Sequence, residues 1–187
     1  MQMPKVETER LILRPMELDD AQSMYEYASD DDVLQNLTFP KHLSVEQSRN
    51  VIQNLFLPKK ESVNVPESYA IIEKISGKMI GCCDFTNIDR FHNSEIGYVL
   101  NRKYWGKGYM TEAVTKVIQI GFEHLNLERI VIRHNVDNIR SKRVIVKLGL
   151  VFEGIERSSI VNGVGKRCDV AVYSIIKDEY LKRKEGK

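Results

Sequence analysis

Apolar residues recur along this chain with two periods, two residues in some stretches and three to four in others. The change of period marks where strands give way to helices. Leu11–Arg14 (LILR) alternates as a first strand, ended by Pro15. From Ala21 the period lengthens, with Ala21, Met24, Tyr25 and Ala28 on one helical face and Asp19 or Asp20 as its cap. Ser44-Val45-Glu46-Gln47 has the form of a capping box and predicts a helix to about Leu57. Pro58–Pro66 carries three charges and two prolines and reads as an exposed, mobile loop, with the sequence silent on whether it is a substrate lid.

After Pro66 the texture is that of strands. Tyr69–Ile75, Lys78–Asn87 and Ser94–Leu100 are strand-like runs joined by Ser76-Gly77 and by the polar Ile88–Asn93 link. Such short links favour antiparallel pairing. Met110–Leu125 is a helix, because Ala113, Val114, Val117, Ile118, Gly121, Phe122 and Leu125 keep helical spacing. Arg129–His134 (RIVIRH) returns to a strand, and its connection through a helix to Glu95–Leu100 predicts a parallel crossover. Asn135–Asn138 is a turn, and Ile139–Leu148 a short helix stopped by Gly149. Val151–Val161 and Lys166–Ile176 alternate around Asn162-Gly163, a hairpin signal, before a charged helical tail.

These elements predict an α/β (α+β) fold. It is a mixed, mostly antiparallel sheet of about seven strands with a parallel pair in the middle, flanked by helices, in a single domain over residues 1–187. If the parallel strands start adjacent and then diverge, a wedge opens between them. In open α/β sheets, ligands sit where strand ends separate in this way.

Composition narrows the classes further. A length of 187 residues, 42% apolar and 29% charged, is that of an ordinary soluble globular domain. The 28 basic and 26 acidic side chains leave a net charge of +2, so no direct nucleic-acid binding is expected. Cys82, Cys83 and Cys168 form no CxxC motif and, being three, cannot all pair, which fits a reducing cytoplasm. The four histidines lack metal-ligand spacing, so no metal is expected. Asp30–Asp32 reads as a solvated turn with a helix cap rather than a cation-binding patch. With no N-terminal signal and no apolar run near the ~18 residues of a membrane span, a cytoplasmic protein without membrane contact is expected.

The candidate chemistry gathers at Asn101–Ala113 (NRKYWGKGYMTEA). Gly106 and Gly108 allow a sharp turn and close approach to the main chain, and a helix begins directly after them. A glycine turn feeding a helix N-terminus is a ready anion site, here with Lys103 and Lys107 beside it. Neither GxxxxGK[ST] nor GxGxxG is present, which disfavours both nucleotide folds that use those loops.

With these motifs assembled, the chain resembles the GNAT superfamily of N-acetyltransferases, in particular the branch containing the ribosomal-protein alanine acetyltransferases (RimJ/RimL-type). The resemblance rests on Thr8–Pro15 (TERLILRP), Glu95–Tyr98 with Tyr104–Tyr109 and Thr111–Ala113, and Asn138 through Ser141–Val144 to Lys147–Gly149. It implies an acetyl-CoA-dependent enzyme. The pyrophosphate loop would fall on Lys103–Gly108, with Lys103 where Gln or Arg is usual. Backbone N–H groups from Trp105 through Gly106, Lys107, Gly108, Tyr109 and Met110 would hold the phosphates. The main chain of Tyr98, Val99 and Leu100 would pair with the pantetheine amides. Asn138 matches a cofactor-contacting residue, and Lys142 or Arg143 would reach the adenosine-side phosphate.

For the chemistry, the resemblance places Glu95 as the base that deprotonates the acceptor amine, and a backbone N–H near Val99 or Leu100 as the oxyanion donor. The tyrosine acid common in the family is absent. Its position is Ile145, and Ser141 is the substitute. The implied acceptor is a protein or peptide α-amine. The alternatives are a small amine (polyamine, amino acid or antibiotic) and a non-catalytic acyl-CoA-binding module. A homodimer is a state the resemblance allows.

Overall fold

The structure, a computed structural model, describes residues 1–186; Lys187, at the end of the expected tail, lies outside the described residues. The strands are β1 (Val6–Glu7), β2 (Leu11–Pro15), β3 (Tyr69–Glu73), β4 (Met79–Phe85), β5 (Asn93–Leu100), β6 (Arg129–Asn135), β7 (Val151–Val161) and β8 (Arg167–Ile176). They form an eight-stranded sheet in the order β1-β2-β3-β4-β5-β6-β8-β7. The helices are α1 (Ala21–Ala28), α2 (Asp31–Leu34), α3 (Val45–Val51), α4 (Tyr109–Glu123), α5 (Ile139–Lys147) and α6 (Lys177–Glu185). The sheet has one strand more than the pattern predicts because β1 spans two residues, too few to show alternation.

Side-chain alternation feeds two apolar layers. Ala70, Ile72, Cys82 and Val99 pack with Met24, Tyr27 and Ala28 of α1. Leu11, Leu13, Ile71, Phe85 and Ile96 pack with Ala113, Val114 and Val117 of α4 and with Ile145 of α5. Burial on both faces explains why β3 and β4 read as nearly continuous apolar runs.

Every strand pair is antiparallel except β5–β6. That parallel pair joins only Asn93, Ser94 and Glu95 to Arg129, Ile130 and Val131. Beyond Glu95, β5 keeps its ladder with β4 while β6 keeps its ladder with β8. The expected wedge is therefore present, and Glu95 stands at its apex.

The segment after α2 is fastened to the β7–β8 hairpin. Gly163 N donates to Leu37 O at 2.6 Å, and the Asn162 side chain donates to Gln35 O at 2.8 Å. The reversal itself differs from the predicted Asn-Gly turn. Gly165 supplies the left-handed residue (φ +84°) and donates to Asn162 O. Gly163 is there because a Cβ would stand 2.5 Å from Phe39 O.

Three local expectations are also corrected. Asp20 does not cap α1 but accepts from Glu17 N and forms a two-pronged pair with Arg14 at 2.8 and 2.7 Å. The helix opened by Ser44 does run on past Val51, but as a wider turn over Ile52–Phe56 and a tight one over Leu57–Glu61. The Pro58–Pro66 segment is accordingly not a free loop at its start: Lys59 Nζ bonds Asp84 and Ser68, each at 2.8 Å.

The Thr8–Arg10 corner before β2 meets the first turn of α4. Glu112 accepts from Thr8 Oγ1 at 2.6 Å, Arg10 N at 2.8 Å and Arg10 Nε at 2.7 Å. Burial pushes the Glu112 carboxyl up, but the bonds from Thr8 and Arg10 outweigh it and hold the group below its ordinary value. Glu112→Ala leaves these donors unpaired and is expected to cost about 1–3 kcal/mol in urea unfolding. Because the folded value is depressed, the carboxylate's contribution is present above the unfolded value of 4.5 and is lost as pH falls through the folded one. The stability gap between wild type and Glu112→Gln should therefore narrow in acid.

Candidate active site

The glycine turn takes the shape its residues require. Asn101 caps a short helical turn over Arg102–Tyr104 by accepting from Lys103 N at 3.1 Å. Gly106 (φ +76°) and Gly108 (φ +83°) then adopt left-handed backbone, which a side chain would strain. Gly108 is the N-cap of α4 and offers no side-chain cap. The leading N–H groups of Tyr109, Met110 and Thr111 thus have no partner within the helix and carry its positive dipole end. Arg10 braces the turn from behind through Lys107 O at 2.9 Å.

Next to the turn runs the free edge of β5. Glu95 O accepts from Thr86 N and Asn101 N donates to Ile80 O, so the odd-numbered residues of β5 direct their backbone groups toward β4. By the same alternation, Ile96, Tyr98 and Leu100 present theirs to the wedge. The Leu100 carbonyl is taken by Trp105 Nε1 at 2.8 Å. Leu100 rather than Val99 is therefore the strand residue with an N–H facing the wedge.

The far wall is α5. Asn138 caps it by accepting from Ser141 N at 3.0 Å, and Ser141 and Ile145 are its buried residues. Ser141 Oγ lies 2.7 Å from the Tyr98 hydroxyl. Turn, strand edge and helix enclose a cavity of about 320 Å³. Its lining takes Tyr98, Leu100 and Met110 from the α4–α5 side and Val33 and Leu37 from the α1–α2 side, so it lies at the seam of the two apolar layers. Three cationic side chains (Arg140, Arg143 and Lys147) and no acidic one line it.

Of the residues singled out in the sequence, Tyr98, Val99, Leu100, Trp105, Gly106, Gly108, Tyr109, Met110, Asn138, Ser141 and Arg143 line this cavity. Four lie outside the lining. Lys103 is exposed and faces Glu26 at 3.5 Å. Lys107 has its ammonium 5.3 Å from the centre of the Tyr104 ring. Lys142 is exposed on α5. Glu95, at the wedge apex, is bonded by Arg133 at 2.7 Å, and Arg133 also faces Glu156 at 3.6 Å. Burial raises the Glu95 carboxyl above its usual value, and Arg133 opposes that only in part.

Sequence reasoning missed Arg140 and Lys147. Arg140 stacks over Trp105 at 4.6 Å. The signal was available, since residues 140, 143 and 147 share one helical face. The acidic trio holds no cation-binding arrangement among the described residues; Asp30 caps α2, Asp30 and Asp32 pair with Arg102, and Asp31 pairs with Lys41. No helix among the described residues is long and apolar enough to cross a membrane.

The sequence and the fold both have known relatives. The family model for an acetyltransferase (GNAT) domain matches residues 10–151. An uncharacterized N-acetyltransferase, p20, of Bacillus licheniformis is 37% identical over 180 residues, covering 95% of this chain and 99% of its own. The structure of a GNAT-family acetyltransferase from Bacillus anthracis superposes with a TM-score of 0.80 at 29% identity, covering 94% of this chain and all of that one. A ribosomal-protein-S5-alanine acetyltransferase from Vibrio fischeri gives 0.79 at 27%, over 95% of this chain and 99% of that one.

A cavity with this charge suits a polyanionic ligand. Arg143→Ala is expected to weaken coenzyme A binding about tenfold, roughly 1.4 kcal/mol, by isothermal titration. Added salt should weaken binding to the wild type more than to the variant.

Proposed function

The chain belongs to the GNAT acetyltransferase family, and from that premise we propose that its acceptor is the α-amine of a protein or peptide N-terminus, attacking the acetyl thioester directly. Acetyl-CoA-dependent N-acetyl transfer is the activity of the family; the acceptor, the residue roles and the reading of the chain as one acetyltransferase domain are our inference. The observation that carries it is Glu95, a partly buried carboxylate at the point where β5 and β6 part.

An ammonium has no lone pair, so the acceptor must first lose a proton. An α-amine has a pKa of roughly 7.7–8.0 against roughly 10.4 for a lysine side chain, so it asks far less of the base. Glu95, its carboxyl raised by burial with Arg133 opposing that only in part, is a somewhat stronger base than an ordinary carboxylate and suits that modest task. It shares a strand face with Val99, which packs toward α1, whereas Tyr98 meets α5. Donor and acceptor would accordingly approach the wedge from opposite faces. Glu95 does not line the cavity, so it would act through a water.

The remaining roles follow position. The Leu100 N–H would donate to the carbonyl oxygen as it gains charge. The free backbone groups of Tyr98 would hold a pantetheine amide, beside Asn138; Val99, expected to share in this, turns its own toward β4. Backbone N–H groups from Gly106 to Thr111 would hold the pyrophosphate, with Arg140, Arg143 and Lys147 close to further phosphate charge; the expected Trp105 N–H is instead taken by Arg102 O at 3.1 Å. Lys103, Lys107 and Lys142 would contribute field rather than contact. Ser141 would serve the leaving sulfur. The name of the Vibrio fischeri neighbour supports a protein acceptor.

The test is thiol release from acetyl-CoA with N-terminal peptides, polyamines and aminoglycosides as acceptors. Turnover confined to a small amine would overturn the proposed acceptor. Glu95→Gln is expected to lower kcat by roughly 10²–10⁴ while leaving coenzyme A affinity intact. Arg133 lowers the pKa of Glu95, and the base works only when ionised. In Arg133→Met the acid limb of kcat/KM should therefore move to higher pH.

A further inference from the structure

The position from which a helix tyrosine would reach the thioester is filled by Ile145, which is fully buried and has no proton to give. A phenol nevertheless reaches the same wall from the sheet. Tyr98 lies across the cavity from α5, and its hydroxyl stands 2.7 Å from Ser141 Oγ. Ser141 is held by its place in the first turn of α5, where its N–H is fixed on Asn138, and it is buried except for the part that lines the cavity. Among the described residues neither hydroxyl has another hydrogen-bond partner.

Two hydroxyls sharing one bond leave one O–H free. A phenol is a far stronger acid than an alkyl hydroxyl, so Tyr98 is the better donor and Ser141 the better acceptor. That assignment leaves the Ser141 proton free to turn into the cavity. Burial raises the Tyr98 phenol well above its ordinary value, so it remains protonated at neutral pH.

We propose that Tyr98 is a positioning residue for the leaving group: it donates to Ser141 Oγ and so orients and polarises the Ser141 hydroxyl toward the thioester sulfur. This rests on the acyl-transfer reading above. The acceptor nitrogen forms its bond to the acyl carbon, and the carbon–sulfur bond breaks with its electron pair passing to sulfur. As charge builds there, the Ser141 proton moves to sulfur and the Tyr98 proton to Ser141. The thiol departs carrying one proton, and water at the cavity mouth returns one to Tyr98.

The experiment compares acetyl-CoA with its selenoester analogue, whose selenolate leaves without needing a proton. With the thioester, Tyr98→Phe should lower kcat roughly 10–100-fold while KM and coenzyme A affinity stay within about twofold. With the selenoester the loss should nearly vanish. The double variant Tyr98→Phe/Ser141→Ala should be no slower than Ser141→Ala alone, as for residues that act in series. Equal losses with both donors, or additive losses in the double variant, would overturn the proposal. Should Tyr98→Phe not fold, Ser141→Ala against Ser141→Thr decides: a thioester rate lost with alanine and restored with threonine supports the relay, and a wild-type rate with alanine sinks it. Glu95→Gln, run alongside, should lose rate with both donors. An unimpaired Glu95→Gln would fault the base and leave the sulfur relay to its own result.

Discussion

Glu112, in the first turn of α4, accepts from Thr8 and from both the backbone and the side chain of Arg10, and Arg10 in turn holds the Lys107 carbonyl. The turn it braces contains two left-handed glycines, and glycine loses more conformational freedom on folding than any other residue. Left to itself, such a turn would wander. The Glu112 cluster supplies from outside the rigidity that glycine cannot supply from within. It also explains why two motifs far apart in sequence, Thr8–Arg10 and Thr111–Ala113, occur together. They are two halves of one joint.

Charge is sorted by place rather than by amount. The chain carries a net charge of only +2, yet the cavity lining holds three cations and no acid. On the sheet face that carries Glu95, acids and bases alternate across strands, as Glu95–Arg133–Glu156 and Arg129–Glu153. The first arrangement attracts a polyanion, whereas the second gives the Glu95 carboxyl a cationic partner that it shares with Glu156. Composition averages over both and so shows neither.

Most of the fold was legible in the sequence because period and burial coincide there. The α4 stripe, the β3–β4–β5 meander and the crossover to β6 all follow from apolar spacing. What escaped was governed by contacts between distant segments. Gly163 looks like a turn glycine until Phe39 O is seen beside it. Asp20 looks like a cap until Arg14 claims it. Lys59 looks like a loop charge until Asp84 appears opposite. In the site, the glycine turn was local and therefore readable. The choice of Leu100 over Val99 depended on strand phase, and the Tyr98–Ser141 contact joins residues 43 apart in sequence. No local pattern carries either.

The cavity occupies the seam at which the two apolar layers meet, between Val33 and Leu37 on one side and Tyr98, Leu100 and Met110 on the other. A ligand seated there would touch both layers, an arrangement that only the folded chain offers. Such a ligand at a hundredfold excess over its dissociation constant adds about 2.7 kcal/mol to the folding equilibrium. Were the acyl donor that ligand, its supply would govern persistence as well as turnover: a cell rich in the donor would keep this protein folded for longer, and starvation for it would leave the chain more open to proteolysis.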